Sequence, residues 1–511
     1  MARGDAGHSS DRAPTQQVRR RGGALRKTST LVVVLVLLLA GASYRFDLGP
    51  RWLGWDYPSP RDEPAEVLPP PGLGLPAAGS APVVAEDSPE IGADPAKVRQ
   101  AVSALVAEKK LGPRVAVVVN QLSDGSPVYR SGVDLVVPAS TMKLVTTTAV
   151  LAALGPDHRF ATTVRTGANP KQIVLVGGGD PLLERAPGSS EETYPPRADI
   201  RTLAVGTARA LRATGRTSVQ LRYDTSLFEG PAASPAWKPS YIADNVVSPI
   251  SPLWVDEGLE TPGLVFRVDD PAAVAATLFA DELRRQDITV RGAPAPAVAP
   301  EDSTELAAVE SAPLGQIVQW VLEVSDNEAA EVLFRQVAVA EGRPGSFDGG
   351  SAAVTDVLGR LGVDLSGQRV LDGSGLSRQN RLRPDTLLRL LGLAASDEHP
   401  ELRSVAVDLP VAGFTGSLAD RFETGDDDGL GRVRAKTGTL SGVHGLAGLV
   451  TDLDGTVLSF VAIADRVRIP NTLDARALLD EISAALAGCS CAVAEQPEPS
   501  AEPEPSPSPT A

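Results

Sequence analysis

Pro138-Ala-Ser140-Thr-Met-Lys143-Leu-Val145 contains the one Ser-x-x-Lys in a chain that has just eight lysines. Positions i and i+3 of a helix share a face about one turn apart, so the Lys143 amine falls within reach of the Ser140 hydroxyl. A serine hydroxyl attacks poorly until a neighbouring base takes its proton, and a lysine desolvated in a cleft titrates low enough to serve. Read this way, Ser140 is a nucleophile with Lys143 as its own base. Chance also produces this spacing, so the reading depends on what accompanies it.

Two further motifs follow in order. Ser325-Asp326-Asn327 holds the one Ser-x-Asn of the chain, and Lys436-Thr437-Gly438 the one Lys-Thr-Gly. A Lys143, Ser325, Lys436 array can pass protons along hydrogen bonds, with Ser325 as the relay. The Asn327 amide suits holding Lys143 or a substrate backbone. Equally, Ser325 to Asn327 stand before Glu328-Ala-Ala-Glu-Val-Leu-Phe334, where they would cap a helix. Lys436 places positive charge where a terminal carboxylate would lie, with the Thr437 and Thr439 hydroxyls as further donors. Gly438 lacks a side chain, so a substrate backbone can approach this strand edge.

In this combination the motifs resemble those of penicillin-binding proteins and class A β-lactamases. From Asp94 to Ala487 the chain resembles the DD-carboxypeptidase/endopeptidase family of low-molecular-mass class C penicillin-binding proteins. That likeness is carried also by Gly177 to Leu183, Asp372 to Arg381 and Leu409 to Leu418. It implies an α/β (α+β) serine β-lactamase/penicillin-binding-protein fold, transpeptidase-like, with the three motifs lining one cleft. It further implies an oxyanion hole from the backbone N–H groups of Ser140 and Thr439, and substrate binding by Thr437, Gly438 and Thr439 with Arg378, Leu440 and Ser441. No metal or cofactor is implied. The expected substrates are peptidoglycan stem peptides cut at their D-Ala–D-Ala end, with cross-links as a second target, and β-lactams as covalent inhibitors. Class A β-lactamases place a Glu-x-x-Leu-Asn base between the first two motifs, and none occurs between Ser140 and Ser325. Penicillin is therefore expected to inhibit rather than be consumed. The alternatives are a β-lactamase or esterase on the same fold, and a non-catalytic envelope scaffold.

Other hydrolase designs lack their parts. The histidines are His8, His158, His399 and His444, and there is no Gly-x-Ser-x-Gly elbow and no His-Glu-x-x-His. His444, shortly after Lys436, is the one histidine near a motif.

Ser140 and Ser325 are 185 residues apart, more than a compact catalytic domain needs, which predicts an inserted domain. The expected organisation is a catalytic domain in two parts, 93–158 and 301–488, around a β-rich insert, 159–300. Within the insert, 172–176, 218–223, 263–268 and 287–291 read as strands, with one helix over 272–285. In the catalytic parts, strands are expected over 114–120, 432–437, 445–450 and 457–464, a nucleophile helix over 140–154 stopping at Gly155, and a closing helix over 475–486.

The ends read differently. A basic segment, 1–27, precedes an apolar one, 28–44, that reads as a transmembrane anchor or signal peptide with Ala40-Gly-Ala42 as its cleavage site. A Pro/Gly/Ala-rich linker, 45–92, and a Pro/Glu-rich tail, 489–511, complete the chain. The catalytic part would then work on the outer face of the cytoplasmic membrane or be exported. A net charge of −16 argues against nucleic-acid binding. Cys489 and Cys491 are the only cysteines and can form a local disulfide.

Overall fold

The computed structural model describes residues 92–188, 194–422 and 427–493. The basic segment, the apolar segment 28–44, the linker up to residue 91 and the tail from residue 494 lie outside the described residues. Among the described residues, no helix is long and apolar enough to cross a membrane.

Helix α1 (Pro95–Val106) leads into a hairpin of β1 (Val115–Gln121) and β2 (Pro127–Gly132), followed by α2 (Met142–Leu154). Next come β3 (Ala161–Thr166), β4 (Gln172–Val176), α3 (Ile200–Ala213), β5 (Ser218–Asp224), α4 (Pro271–Arg285), β6 (Thr289–Val290), β7 (Ala295–Pro296) and β8 (Glu305–Glu310). The chain returns through α5 (Leu314–Glu323), α6 (Asn327–Ala340), α7 (Phe347–Arg360), α8 (Pro384–Ala395) and the short α9 (Ser404–Val407). Strands β9 (Val433–Leu440), β10 (Val443–Thr451) and β11 (Val457–Ala464) and helix α10 (Thr472–Ala487) complete it.

Five strands form an antiparallel sheet in the order β2-β1-β11-β10-β9, which leaves β9 at an edge. Alternate residues sort to its two faces, as the pleat requires. Leu446, Phe460 and Ala462 pack with Val98 and Val102 of α1 and Leu479 and Ile482 of α10. Ala447, Val461 and Ile463 join the helical core built from α2, α5, α6, α7 and α8. Every residue from Met142 to Leu151 of α2 is buried, so this helix runs through the core, and Lys143 is its single charged side chain. It ends where Gly155, at φ 79°, donates its N–H to the Leu151 carbonyl at 2.8 Å.

A second sheet has the order β6-β5-β4-β3-β8, with β7 also on β5, and encloses its own core around Ile173, Leu175, Leu203, Leu221 and Phe279. Strands β3 and β8 pair antiparallel from Ala161↔Glu310, so the chain enters and leaves this unit by neighbouring strands. The β4–β5 and β5–β6 pairs are parallel, which requires crossovers, and α3 and α4 supply them.

This unit is thus mixed rather than β-rich, and the sheet runs past residue 300 to Glu310. Helix α3 was not anticipated, although Asp199 caps it and Ile200, Leu203, Ala204, Thr207, Ala208 and Leu211 form a buried stripe at helical spacing. The strand expected over 263–268 is absent. Leu264, Val265 and Phe266 are 52%, 66% and 54% exposed in a turn closed by the Leu259↔Arg267 bridge. A run of β-formers without a partner strand does not make a strand. Cys489 and Cys491 are bonded to each other.

One glycine fixes how the catalytic part closes. Gly375 has φ +88°, and a Cβ there would stand 1.8 Å from the Ala139 carbonyl oxygen, immediately before Ser140. Gly375→Ala combines a left-handed backbone with a clash that has no empty side. It is expected to cost about 3 kcal/mol or more, measured as a lowered urea midpoint with the m-value unchanged.

Candidate active site

A single 3-10 turn, Ala139–Thr141, runs directly into α2 and sets Ser140 one helical turn from Lys143. The Lys143 Nζ lies 3.2 Å from the Ser140 Oγ and donates to the Asn327 Oδ1 at 2.7 Å and to the Ser374 carbonyl at 3.0 Å. Three segments distant in sequence therefore converge on one ammonium group. Burial of Lys143 pushes its pKa down to about 8, against the pull of Asp326, Glu331, Asp372 and Glu328.

Asn327 owes its availability to its neighbour. The cap of α6 is Asp326, whose Oδ1 accepts the Ala329 N–H at 2.9 Å while its Oδ2 accepts the Trp320 Nε1–H at 2.9 Å. Asn327 is the first helical residue, and its amide is turned to Lys143. The capping role thus falls on the middle residue of the motif. Ser325, at φ 64°, forms the sharp corner between α5 and α6. Glu257 and Glu328 gather with Asp326, their carboxylate oxygens within 4.8 Å of one another, and Arg267 pairs with Glu328 at 2.6 Å. The second sheet's unit thereby braces the head of α6.

Lys436 on β9 is fully buried, and its Nζ donates to the Thr437 carbonyl at 3.2 Å. Burial first, and then the Lys143 charge, hold it well below the ordinary lysine value. Thr437 turns away from Lys436 and donates to the Ser417 Oγ at 3.0 Å. The Ala435 N–H leaves the sheet to bond the Pro410 carbonyl at 2.9 Å, so by the two-residue period the Thr437 and Thr439 N–H groups point out of the same edge. Thr439 is exposed there, as an oxyanion donor must be. At Gly438 a Cβ would stand 2.8 Å from the Pro138 carbonyl oxygen, so the missing side chain makes room for the nucleophile segment itself. Leu440 is half-buried against Val137, Ala139 and Val443, and Ser441 is exposed. The Ser441 carbonyl accepts from the Arg378 Nη1 at 2.8 Å, which ties Arg378 to the end of β9.

His444 is not a cleft residue. It pairs with Thr439 across β9–β10, so it faces the side opposite Lys436, and burial together with Arg476 and Arg421 lowers its pKa to about 4.

Beneath the site lies a layer that motif reading missed. The Glu331 carboxylate, fully buried, accepts the Gly373 N–H at 2.9 Å and the Ser374 N–H at 2.8 Å, and it is the Ser374 carbonyl that holds Lys143. Asp372, also buried, accepts from the Trp237 Nε1 at 2.8 Å, the Asn380 Nδ2 at 2.7 Å and the Gly375 N–H at 3.1 Å. The 372–381 stretch is therefore more than a set of turns, because it forms the floor under the base. Helical spacing held the signal for Glu331, which stands four residues after Asn327 on one face of α6. Burial pushes the Glu331 pKa up to about 8. Glu331→Gln keeps one acceptor and sets an amide NH2 against the second N–H. Acylation is expected to slow about 10- to 100-fold, because the Ser374 carbonyl that holds Lys143 loses its support. Rates of β-lactam acylation measure the effect.

Comparison with known proteins agrees with this geometry. The profile of the D-Ala-D-Ala carboxypeptidase 3 (S13) family matches residues 98–265 and 259–486. A carboxypeptidase of Mycobacterium tuberculosis is 36% identical over 401 residues, which is 77% of this chain and 84% of that protein. Carboxypeptidase DacB of Mycolicibacterium smegmatis is 34% identical over 404 residues, 77% of this chain and 85% of its own. The solved penicillin binding protein 4 (dacB) from Haemophilus influenzae shares the fold with a TM-score of 0.60 at 22% identity, over 77% of this chain and 98% of that one. By its sequence, the chain belongs to the D-Ala-D-Ala carboxypeptidase 3 (S13) family.

Proposed function

We propose that the chain is a serine-type D-Ala-D-Ala carboxypeptidase acting on peptidoglycan stem peptides through an acyl-enzyme on Ser140. The single observation that supports this best is Lys143 Nζ held between the Ser140 Oγ, the Asn327 Oδ1 and the Ser374 carbonyl, beside a strand edge open to a peptide. Neutral Lys143 takes the proton as the Ser140 Oγ attacks the carbonyl carbon of the penultimate residue. The oxyanion that forms lies between the Ser140 and Thr439 N–H groups, and such a donor typically contributes about 2.7–4 kcal/mol to the transition state. As the intermediate collapses, the C–N bond breaks and the leaving amine takes the proton that Lys143 accepted from Ser140, releasing D-Ala; among the described residues the Ser325 hydroxyl bonds neither Lys143 nor Lys436, so this transfer is direct rather than through the relay expected from the motifs. Water, deprotonated by the same base, then attacks the ester and frees Ser140. Lys436, with the Thr437 and Thr439 hydroxyls, meets the substrate's terminal carboxylate, and Arg378, Leu440 and Ser441 border the side chains upstream.

A β-lactam follows the same path to the ester. Its leaving amine stays tethered, and no Glu-x-x-Leu-Asn base exists to direct water at the adduct. The basic 1–27 and apolar 28–44 segments support export with an N-terminal membrane anchor, which sets the enzyme on the outer face of the cytoplasmic membrane. Residues 93–158 and 311–488 then form the catalytic domain and 159–310, ten residues past the expected limit at 300, the insert.

Purified enzyme incubated with muropeptides is expected to convert pentapeptides to tetrapeptides with loss of one D-Ala by mass, and to release nitrocefin product only to about one equivalent. Unchanged pentapeptide pools would reject the assignment, whereas continued nitrocefin turnover would favour a β-lactamase. Loss of cross-linked dimers in the same digest would add endopeptidase action.

A further inference from the structure

Arg114, Arg378, Arg381 and Arg466 line a cavity of about 400 Å³ with Val137 and Asp465. Val137 stands three residues before Ser140, and Val136 pairs with Leu382, so the wall of this cavity continues into the nucleophile segment. Yet its lining includes none of Ser140, Lys143, Ser325, Asn327 or Lys436.

The charge balance is lopsided. Asp465 is the one carboxylate of the lining and is already occupied, accepting from the Arg114 Nε at 2.8 Å and from the Val137 N–H at 3.0 Å. Arg378 and Arg381 donate to neutral acceptors, the carbonyls of Ser441, Arg378 and Asn380 at 2.6–2.8 Å. Arg369, outside the lining, adds a further cation close enough to act on Arg381. Burial, and then the charges of Arg369, Arg114 and Arg466, hold the Arg381 guanidinium below its usual value against the pull of Asp465. A chain of net charge −16 thus gathers like charges at one point without the anions to balance them. Guanidinium groups converging on a small cavity match a compact oxyanion by paired N–H donation, and a dianion or trianion balances them where a monocarboxylate leaves most of the charge.

We propose that this arginine pocket is a seat for a multiply charged phosphate or pyrophosphate group, distinct from the catalytic groups of the acyl cleft and sharing with its border only Arg378. The group's source is either a free ion or a phosphate borne on an envelope polymer. The proposal does not rest on the assigned peptide substrate.

Calorimetric titration of the full chain at fixed ionic strength, with inorganic phosphate, pyrophosphate, the monoester glycerol phosphate, acetate and chloride, tests it. Saturable one-site binding of phosphate or pyrophosphate is expected, weakened about tenfold or more in Arg466→Ser and further in Arg381→Ser/Arg466→Ser. Arg466 is exposed, so its substitution leaves the fold intact, and retained penicillin labelling of the variant checks this. Binding only of the free ions assigns a free source, and binding of the glycerol phosphate monoester as well assigns a phosphomonoester borne on a polymer. Affinity should persist after penicillin acylates Ser140. Absent saturable binding, equal binding of acetate, unchanged affinity in both variants, or loss on acylation would each overturn the proposal.

Discussion

Ser140→Ala is expected to abolish covalent labelling by a fluorescent penicillin and to lower D-Ala release by about 10⁵-fold or more. The substitution removes one oxygen and leaves the Ser140 N–H, the Lys143 contacts to Asn327 and Ser374, and the β9 edge in place. Residual activity then measures what the oxyanion donors and binding supply without a nucleophile. Two outcomes separate the rival readings. A scaffold with vestigial motifs gives no label even in the wild type, because labelling requires the Ser140 hydroxyl to react. A second nucleophile gives full label in Ser140→Ala, with the adduct mapping to another peptide. Among the described residues no other serine stands within hydrogen-bond reach of a buried lysine amine, which is why complete loss is expected.

That Ser140 and Lys143 meet could be read directly from sequence, and the reason is physical. A Ser-x-x-Lys pair on a helix is a local device, and helical geometry alone brings its two groups together. Strands β1, β10 and β11 of the same sheet were legible for a similar reason, since they are largely apolar runs bounded by turns. What resisted reading depends on contacts far along the chain. The Glu331 carboxylate becomes meaningful only when the 373–374 amides fold onto it, and Asp372 only when Trp237 arrives from the other unit. Gly438 was read for a substrate's approach because strand glycines often serve that, whereas its space is taken by Pro138 and Thr141. Leu264 to Phe266 misled through propensity, since β-branched and aromatic side chains fit a pleated surface only where a neighbouring strand exists. The cap of α6 was placed in the right tripeptide but on no single residue of it, as the backbone, not the composition, selects which polar side chain turns toward the free N–H groups.

Lys143→Arg keeps a cation beside Ser140 and is still expected to slow acylation about 10³-fold or more, close to the effect of Lys143→Ala. The comparison decides between two roles. If Lys143 serves by its charge, an arginine, always protonated, preserves most of the rate; if it serves as a base, arginine cannot accept the serine proton at any accessible pH. The low pKa supports the second role. At about 8, Lys143 is a minority neutral near pH 7 and increasingly neutral above it, so wild-type acylation should rise with pH and level off past a limb near 8. The rise follows from deprotonation activating the base, and a fall across the same range would contradict it. Because Lys436 is buried next to Lys143 and depressed by its charge, the limb belongs to the pair rather than to one amine. Lys143→Arg removes the titrating partner but retains the repulsion, so Lys436 stays depressed and the residual rate should lose the limb near 8. A variant whose slow acylation kept an unshifted limb would show that the titrating base is some group other than Lys143.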